Sequence, residues 1–146
     1  MTRADLVLIG VLGCVAACAG GPTAPYLADI QQAEAAWSAH HLTRYAYRYE
    51  VTGFLNAFAG QPIRLVVLGD TVRSAQFVGT GDSVPADPAT FPTIDALFSL
   101  AIAARQGGTL SAVTFDSTLS YPARLELSGP PDASGAIEAS SVEFLP

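Results

Sequence analysis

The chain has 146 residues with 13 acidic and 7 basic side chains, all of the latter arginine, and its formal net charge is −6. Nucleic acids and anionic lipid surfaces attract clustered positive charge, so this acidic, lysine-free composition argues against electrostatic binding to either. A hydrophobic fraction of 50% excludes a disordered chain, and the length suits one domain with a sizeable core.

The first 17 residues are typical of a secretion signal. Residues 6–17, LVLIGVLGCVAA, carry no charge and follow Arg3. This run is shorter than the ~20 apolar residues that a membrane-spanning helix needs, and the helix breakers GGP follow at residues 20–22. A buried core helix is the alternative interpretation. We expect residues 1–17 to be a signal peptide.

Both cysteines lie in this N-terminal segment. Val15-Ala16-Ala17-Cys18 resembles a bacterial lipobox, which implies cleavage before Cys18 and attachment of diacylglycerol to its sulfur. Cys14 is the alternative lipidation site, but the larger Leu12 lies near it. A disulfide between the two would close too small a loop to constrain much, and two thiols alone do not make a four-ligand metal site. We expect Cys18 to carry the lipid, with residues 18–26 as anchor and flexible tether.

The first predicted element after the tether is a helix from Leu27 to about Thr43. Ile30, Trp37 and His41 recur there at helical spacing. We expect Trp37, the single tryptophan, to be buried against a sheet.

A strand with a period of two follows this helix. The residues that share one face are Tyr45, Tyr47, Tyr49 and Val51, and those on the other are Ala46, Arg48, Glu50 and Thr52. Such a tyrosine stripe is either the aromatic core of a sheet beneath a helix or a sugar-stacking platform. The core interpretation is the one we expect.

The loop GFLNAFAG at residues 53–60 contains Phe54, Leu55 and Phe58 without clear alternation. These side chains either plug the edge of the sheet or form an exposed patch that binds a partner, and the sequence leaves both open.

A hairpin is predicted over residues 63–68 and 71–78, joined by a Gly69-Asp70 turn in which glycine supplies a positive φ. The expected pairs are Leu68 with Thr71, Val67 with Val72, and Leu65 with Ser74.

A second helix is predicted after residue 93, with Thr93 as N-cap and Asp95 in the first turn, where a carboxylate favours the helix dipole. Gly107-Gly108 ends it. Its expected buried face consists of Ile94, Leu97, Phe98, Ala101, Ile102 and Arg105. Three further strands are predicted at residues 110–116, 123–128 and 137–145.

This order of helix, three strands, helix, three strands predicts an α+β fold over residues 27–146. We expect a two-layer sandwich with both helices on one face of a mainly antiparallel sheet of about six strands. The expected core comprises Trp37, Tyr47, Leu65, Val67, Leu97, Phe98, Ile102 and Phe115.

Motifs for chemistry are weak in this sequence. His40 and His41 are the only histidines, and adjacent helical positions point about 100° apart, so we expect no metal site. There is no Gly-x-Ser-x-Gly elbow and no phosphate-binding loop, so we expect neither a cofactor nor a marked active site. An enzyme would need an unmarked carboxylate pair, and the candidates are Asp95, Asp116, Glu126 and Glu138.

The order of motifs resembles a bacterial domain-of-unknown-function family of small lipoproteins and secreted proteins. The residues that carry the resemblance are Trp37, Tyr45-Ala46-Tyr47, PIRLVVLGDTVRSAQFVGTGDSV, FPTIDALFSLAIAA and VTFDSTLSYPARLEL. The loop cysteines of that pattern are absent here, and its acidic cluster before the last strand is reduced to Glu138. The resemblance implies no activity.

These observations together predict a lipid-anchored protein of the bacterial cell envelope, on the periplasmic side or the cell surface. We expect a non-enzymatic binding or structural module that contacts the membrane through its N-terminal lipid and recognises an envelope protein. Alternatives are a secreted inhibitor-like domain that acts on an envelope enzyme, and an enzyme with an unmarked carboxylate site.

Overall fold

A computed structural model describes residues 27–53, 57–130 and 134–146. The order of elements is helix, three strands, helix, three strands, as the sequence predicts. The elements are α1 (Leu27–Ser38), β1 (Arg44–Gly53), β2 (Ile63–Leu68), β3 (Thr71–Phe77), a short 3-10 helix (Pro88–Thr90), α2 (Ile94–Gln106), β4 (Leu110–Phe115), β5 (Pro122–Leu127) and β6 (Gly135–Phe144). The expected signal peptide, Cys14, Cys18 and the tether lie outside the described residues.

The six strands form one antiparallel sheet in the order β3-β2-β1-β6-β5-β4. Each half of the domain therefore supplies a three-stranded meander, and the two meanders join through β1 and β6 at the centre. Both helices pack on the same face of this sheet, which confirms the predicted α+β sandwich. Neither helix in the described parts of the protein is long and apolar enough to cross a membrane.

Helix α1 ends five residues earlier than the spacing predicts. Its last turn is closed by the His40 N–H, which donates to the Trp37 carbonyl at 3.0 Å, and His41 has φ +51°. A left-handed residue stops the helix and turns the backbone toward Arg44, where β1 begins. His40 and His41 are thus exposed residues of a turn, and the prediction that His41 belongs to the helical face is wrong.

The β2–β3 hairpin has the predicted turn but only part of the predicted register. Gly69 has φ +70°, and Leu68 pairs with Thr71. Leu65 pairs with Ala75, not Ser74, because a bulge in β3 adds one residue after Val72. The bulge keeps both Val72 and Ala75 on the buried face of the sheet.

The core lies between the helices and one face of the sheet. Six of the eight predicted core residues are at most 3% exposed: Trp37, Tyr47, Leu65, Val67, Leu97 and Phe98. The other two, Ile102 and Phe115, are partly buried and pack against the cluster, and the Phe115 ring stacks on Phe98 with centroids 6.3 Å apart. On α2, Ala104 takes the buried position that we expected for Ile102.

Candidate functional site

The start of α2 is bonded to the tyrosine stripe of β1. The Tyr47 hydroxyl donates to the Pro92 carbonyl, and the Ile94 N–H donates to the Tyr45 hydroxyl at 3.0 Å. Thr93 caps the helix as predicted, because its hydroxyl accepts from the Ala96 N–H at 3.1 Å. Two backbone groups at this helix end therefore depend on phenol groups from the sheet.

Trp37 completes this bonded cluster. Its ring packs edge-on against Tyr45 and Tyr121, with centroids 5.5 and 6.1 Å away, and its Nε1 donates to Asp95 Oδ1 at 3.2 Å. We call Trp37, Tyr45, Tyr47, Pro92 and Ile94 the tyrosine anchor. It connects both helices to the sheet.

The stripe is core and not a sugar-stacking platform. Tyr45, Tyr47 and Tyr49 are 0, 1 and 6% exposed. Burial raises the pKa of all three phenols, that of Tyr49 to about 12. These groups stay neutral and hold the fold together.

Among the described residues, no helix packs on the opposite face of the sheet, which we call the open face. Direct partners across strands share a face, so register places on it the residues that alternate with the tyrosines. Its ionic side chains include Arg44, Arg48, Glu50, Arg64, Arg124, Glu126, Glu138 and Glu143. Four of the five glutamates of the protein lie here.

All ion pairs found among the described residues lie on this open face. Arg48 pairs with Glu50 at 2.9 Å and Arg64 with Glu143 at 3.1 Å, in both cases through Nη2. Arg124 pairs with Glu126 at 2.9 Å and also with Glu138. The hydrogen bond that Arg124 Nε donates to Glu126 is the main cause that raises the pKa of the Arg124 guanidinium. The paired side chains are 22–60% exposed, so each pair contributes little to folding.

Like charges also face each other across strands. Arg48 lies directly opposite Arg64, and Glu50 lies directly opposite Glu138. Such neighbours destabilise a sheet, and the ion pairs offset the repulsion. The open face thus holds two like-charged pairs, the arginines at β1 and β2 and the glutamates at β1 and β6.

A depression of about 230 Å³ opens beside the arginine pair of this face. Its lining includes Arg48, Arg64, Val78, Ser141 and Glu143. Val78 is 50% exposed and forms its apolar wall.

A second cleft, of about 410 Å³, lies where β6 continues past β5. Pairing between these strands ends at Arg124 and Glu138, and Phe144 beyond it is 60% exposed. The opposite wall is the β4–β5 turn, in which Asp116 Oδ1 accepts from the Thr118 and Leu119 N–H groups at 2.9 and 2.7 Å. The Asp116 side chain thus closes this turn.

The four candidate carboxylates do not form one group. Glu126 and Glu138 meet at Arg124 on the open face, whereas Asp95 lies at the start of α2 and Asp116 in the β4–β5 turn. Within residues 27–53, 57–130 and 134–146, no cluster of three or more His, Cys, Asp or Glu side chains is arranged to hold a metal ion.

The predicted partner-binding loop is described only in part. Phe58 is partly buried, and its ring lies 6.0 Å from Phe77 and 6.2 Å from Phe91 between centroids. These ring contacts favour the interpretation that Phe58 packs at the edge of the sheet. Phe54 and Leu55 lie outside the described residues.

The grouping of Arg48, Arg64 and Glu143 could not be predicted from the sequence. The alternation in β1 already placed Arg48 on the face opposite the tyrosines. Glu143 joins it only because β6, the last strand of the domain, pairs with β1, the first. No local pattern encodes that pairing.

The fold is an α+β domain with a single sheet. The tyrosine anchor bonds the helices to one face of that sheet, and the open face carries the ion pairs. A protein-family model, described as a family of unknown function (DUF6174), matches residues 29–136. The protein belongs to that family. The match includes the whole tyrosine anchor and ends before Glu138 and Glu143. No curated protein and no solved structure matches the sequence.

Proposed function

We propose that this protein is a lipid-anchored module of the bacterial cell envelope that binds a protein partner through its open face and catalyses no reaction. The observation that supports this function is the grouping of ion-paired arginines and glutamates on a sheet face that no helix of the described residues covers. Exposed ion pairs contribute about 0–1 kcal/mol each to stability, so the fold gains little from this arrangement. Charge patterns of this kind give orientation and specificity when they meet a complementary surface.

The anchor places that face near other envelope proteins. Residues 19–26 separate Cys18 from the start of α1, and eight extended residues span at most roughly 26–29 Å. A domain on such a tether samples partners close to the membrane surface, which raises their effective concentration.

Intact-mass measurement of the membrane-extracted protein tests the anchor. We expect a polypeptide that starts at Cys18 and carries diacylglycerol and acyl mass. Cys18→Ser should abolish the lipid, and Cys14→Ser is the matched control that should retain it. Loss of lipid with Cys14→Ser alone would assign the anchor to the other cysteine.

Site-specific photo-crosslinking in native cells tests the docking face. A benzophenone amino acid is placed at the exposed open-face positions Gln76 or Thr114, or at the exposed helix positions Gln32 or Ala103. We expect a single protein adduct, formed from the open-face positions only. The partner identified from that adduct should also bind this protein when both are purified. Equal adducts from both sides, or none from the open face, would contradict docking there. If the partner is an enzyme that loses activity on binding, the module is an inhibitor.

A further inference from the structure

We propose that the depression between Arg48 and Arg64 is a binding site for a carboxylate group of the protein partner, either an Asp or Glu side chain or a terminal carboxylate. This inference rests on the proposed docking function and names the chemistry of one contact within it.

The two guanidinium groups come from adjacent strands at the same register. Arg48 and Arg64 are direct partners across β1 and β2, and their side chains are 46% and 41% exposed. Val78 and Ser141 line the space between them, which measures about 230 Å³. A carboxylate is small enough for this volume and can lie beside both arginines.

Each arginine keeps donors for a further acceptor. Its Nη2 donates to one glutamate, and no hydrogen bond from the described residues engages Nε or Nη1 of either side chain. A guanidinium presents five N–H groups in a planar fork that matches a carboxylate with two parallel hydrogen bonds. The donors of Arg48 and Arg64 are therefore partly used and partly available.

The flanking glutamates favour a singly charged ligand. Glu50 and Glu143 balance the charges of the two arginines, so a monoanion that displaces one glutamate brings less repulsion into the site than a dianionic phosphate would. A carboxylate can replace either glutamate with the same charge and the same geometry. Glu50 and Glu143 thus act as internal competitors that orient the guanidinium groups until a partner carboxylate arrives.

Titration of the full-length protein in detergent micelles with acetate, followed through the arginine Nε–Hε NMR signals, tests the site. We expect saturable shifts of the Arg48 and Arg64 signals. Arg64→Gln should weaken acetate binding about tenfold, the loss typical of one charge-assisted hydrogen bond. Arg124→Gln is the matched control, because Arg124 is 42% exposed on the same face and also ion-paired, and it should leave the affinity within about twofold.

Removal of a glutamate that competes for the arginines should change the acetate affinity in the opposite direction. Glu143→Gln should tighten acetate binding by a few fold, whereas Glu126→Gln should not change it. The proposal is overturned if acetate shifts the three arginine signals equally or without saturation, or if Glu143→Gln weakens binding. Tighter binding of inorganic phosphate or of anionic lipid vesicles at equal ionic strength would also overturn it. Saturable acetate binding without a crosslinked open-face partner would leave the site standing and would contradict only the docking function.

Discussion

The two faces of the sheet use their polar groups in different ways. On the helix-covered face, the Tyr45 and Tyr47 hydroxyls lie in the core and bond to backbone groups at the start of α2. On the open face, the arginine and glutamate side chains pair with one another while they remain in contact with solvent.

This difference indicates where stability and recognition lie. A buried hydroxyl without its partner carries a full desolvation penalty, so the tyrosine anchor tolerates little change. An exposed ion pair can be lost at small cost, so the open face can change its charges without loss of the fold. Substitutions on the two faces should therefore differ in the size of their effect on stability.

The largest expected effect is the loss of a core ring. Phe98 is fully buried and stacks on Phe115, so Phe98→Ala should cost about 3–5 kcal/mol of unfolding free energy. Leu68→Ala, on the open face at 37% exposure, is the control and should cost less than about 1 kcal/mol. Chemical denaturation measures both, and equal losses would mean that the open face is also packed.

The second-largest expected effect is destabilisation of the helix-covered face at alkaline pH. Burial raises the pKa of Tyr49 from the ordinary 10.0 to about 12, and it raises those of Tyr45 and Tyr47 as well. The stability that comes from keeping these phenols neutral is complete below pH 10.0 and is lost as pH rises toward and through about 12. The thermal midpoint should fall over that window, with tyrosinate absorbance appearing together with unfolding. Free titration of these phenols in the folded protein near pH 10.0 would contradict their burial.

Removal of single hydroxyls should have a smaller effect. Tyr45→Phe leaves the Ile94 N–H without its acceptor, and Tyr47→Phe leaves the Pro92 carbonyl without its donor, so each should cost about 1–3 kcal/mol. Tyr49→Phe is the control, because no hydrogen bond from its hydroxyl is found within the described residues. If all three changes had the same effect, the tyrosine anchor would not be a bonded structure.

Much of this fold could be predicted because its elements follow local patterns. The period of two in β1 and the spacing of Leu97, Phe98 and Ala101 on α2 reflect which side chains face the core. The end of α1 and the bulge in β3 could not be predicted, because they depend on how the backbone reverses at His41 and where Val72 and Ala75 meet the core.

The candidate site was less predictable than the fold. Trp37, Tyr47 and Pro92 were visible as motif residues, but their hydrogen bonds join positions up to 58 residues apart. The grouping on the open face needs the β1–β6 pairing at the centre of the sheet. Long-range pairing of this kind leaves no short sequence signal.

The smallest expected effect is the loss of an open-face ion pair. Arg64→Ala removes the pair with Glu143, both members of which are at least 41% exposed, and should change the unfolding free energy by less than about 1 kcal/mol. Removal of its repulsion with Arg48 offsets part of the loss. Urea denaturation at low and high salt measures this, and a cost near that of Phe98→Ala would contradict the comparison.

One paired measurement tests the central claim that the helix-covered face holds the fold and the open face recognises a partner. The double variant Arg48→Ser with Arg64→Ser is compared with the unaltered protein for its thermal midpoint and for its crosslinking yield from position 76. We predict a midpoint within a few degrees of the unaltered protein, since exposed pairs contribute about 0–1 kcal/mol each, and a yield reduced about tenfold. A midpoint lowered as far as that of Phe98→Ala, or an unchanged yield in the folded variant, would contradict the claim.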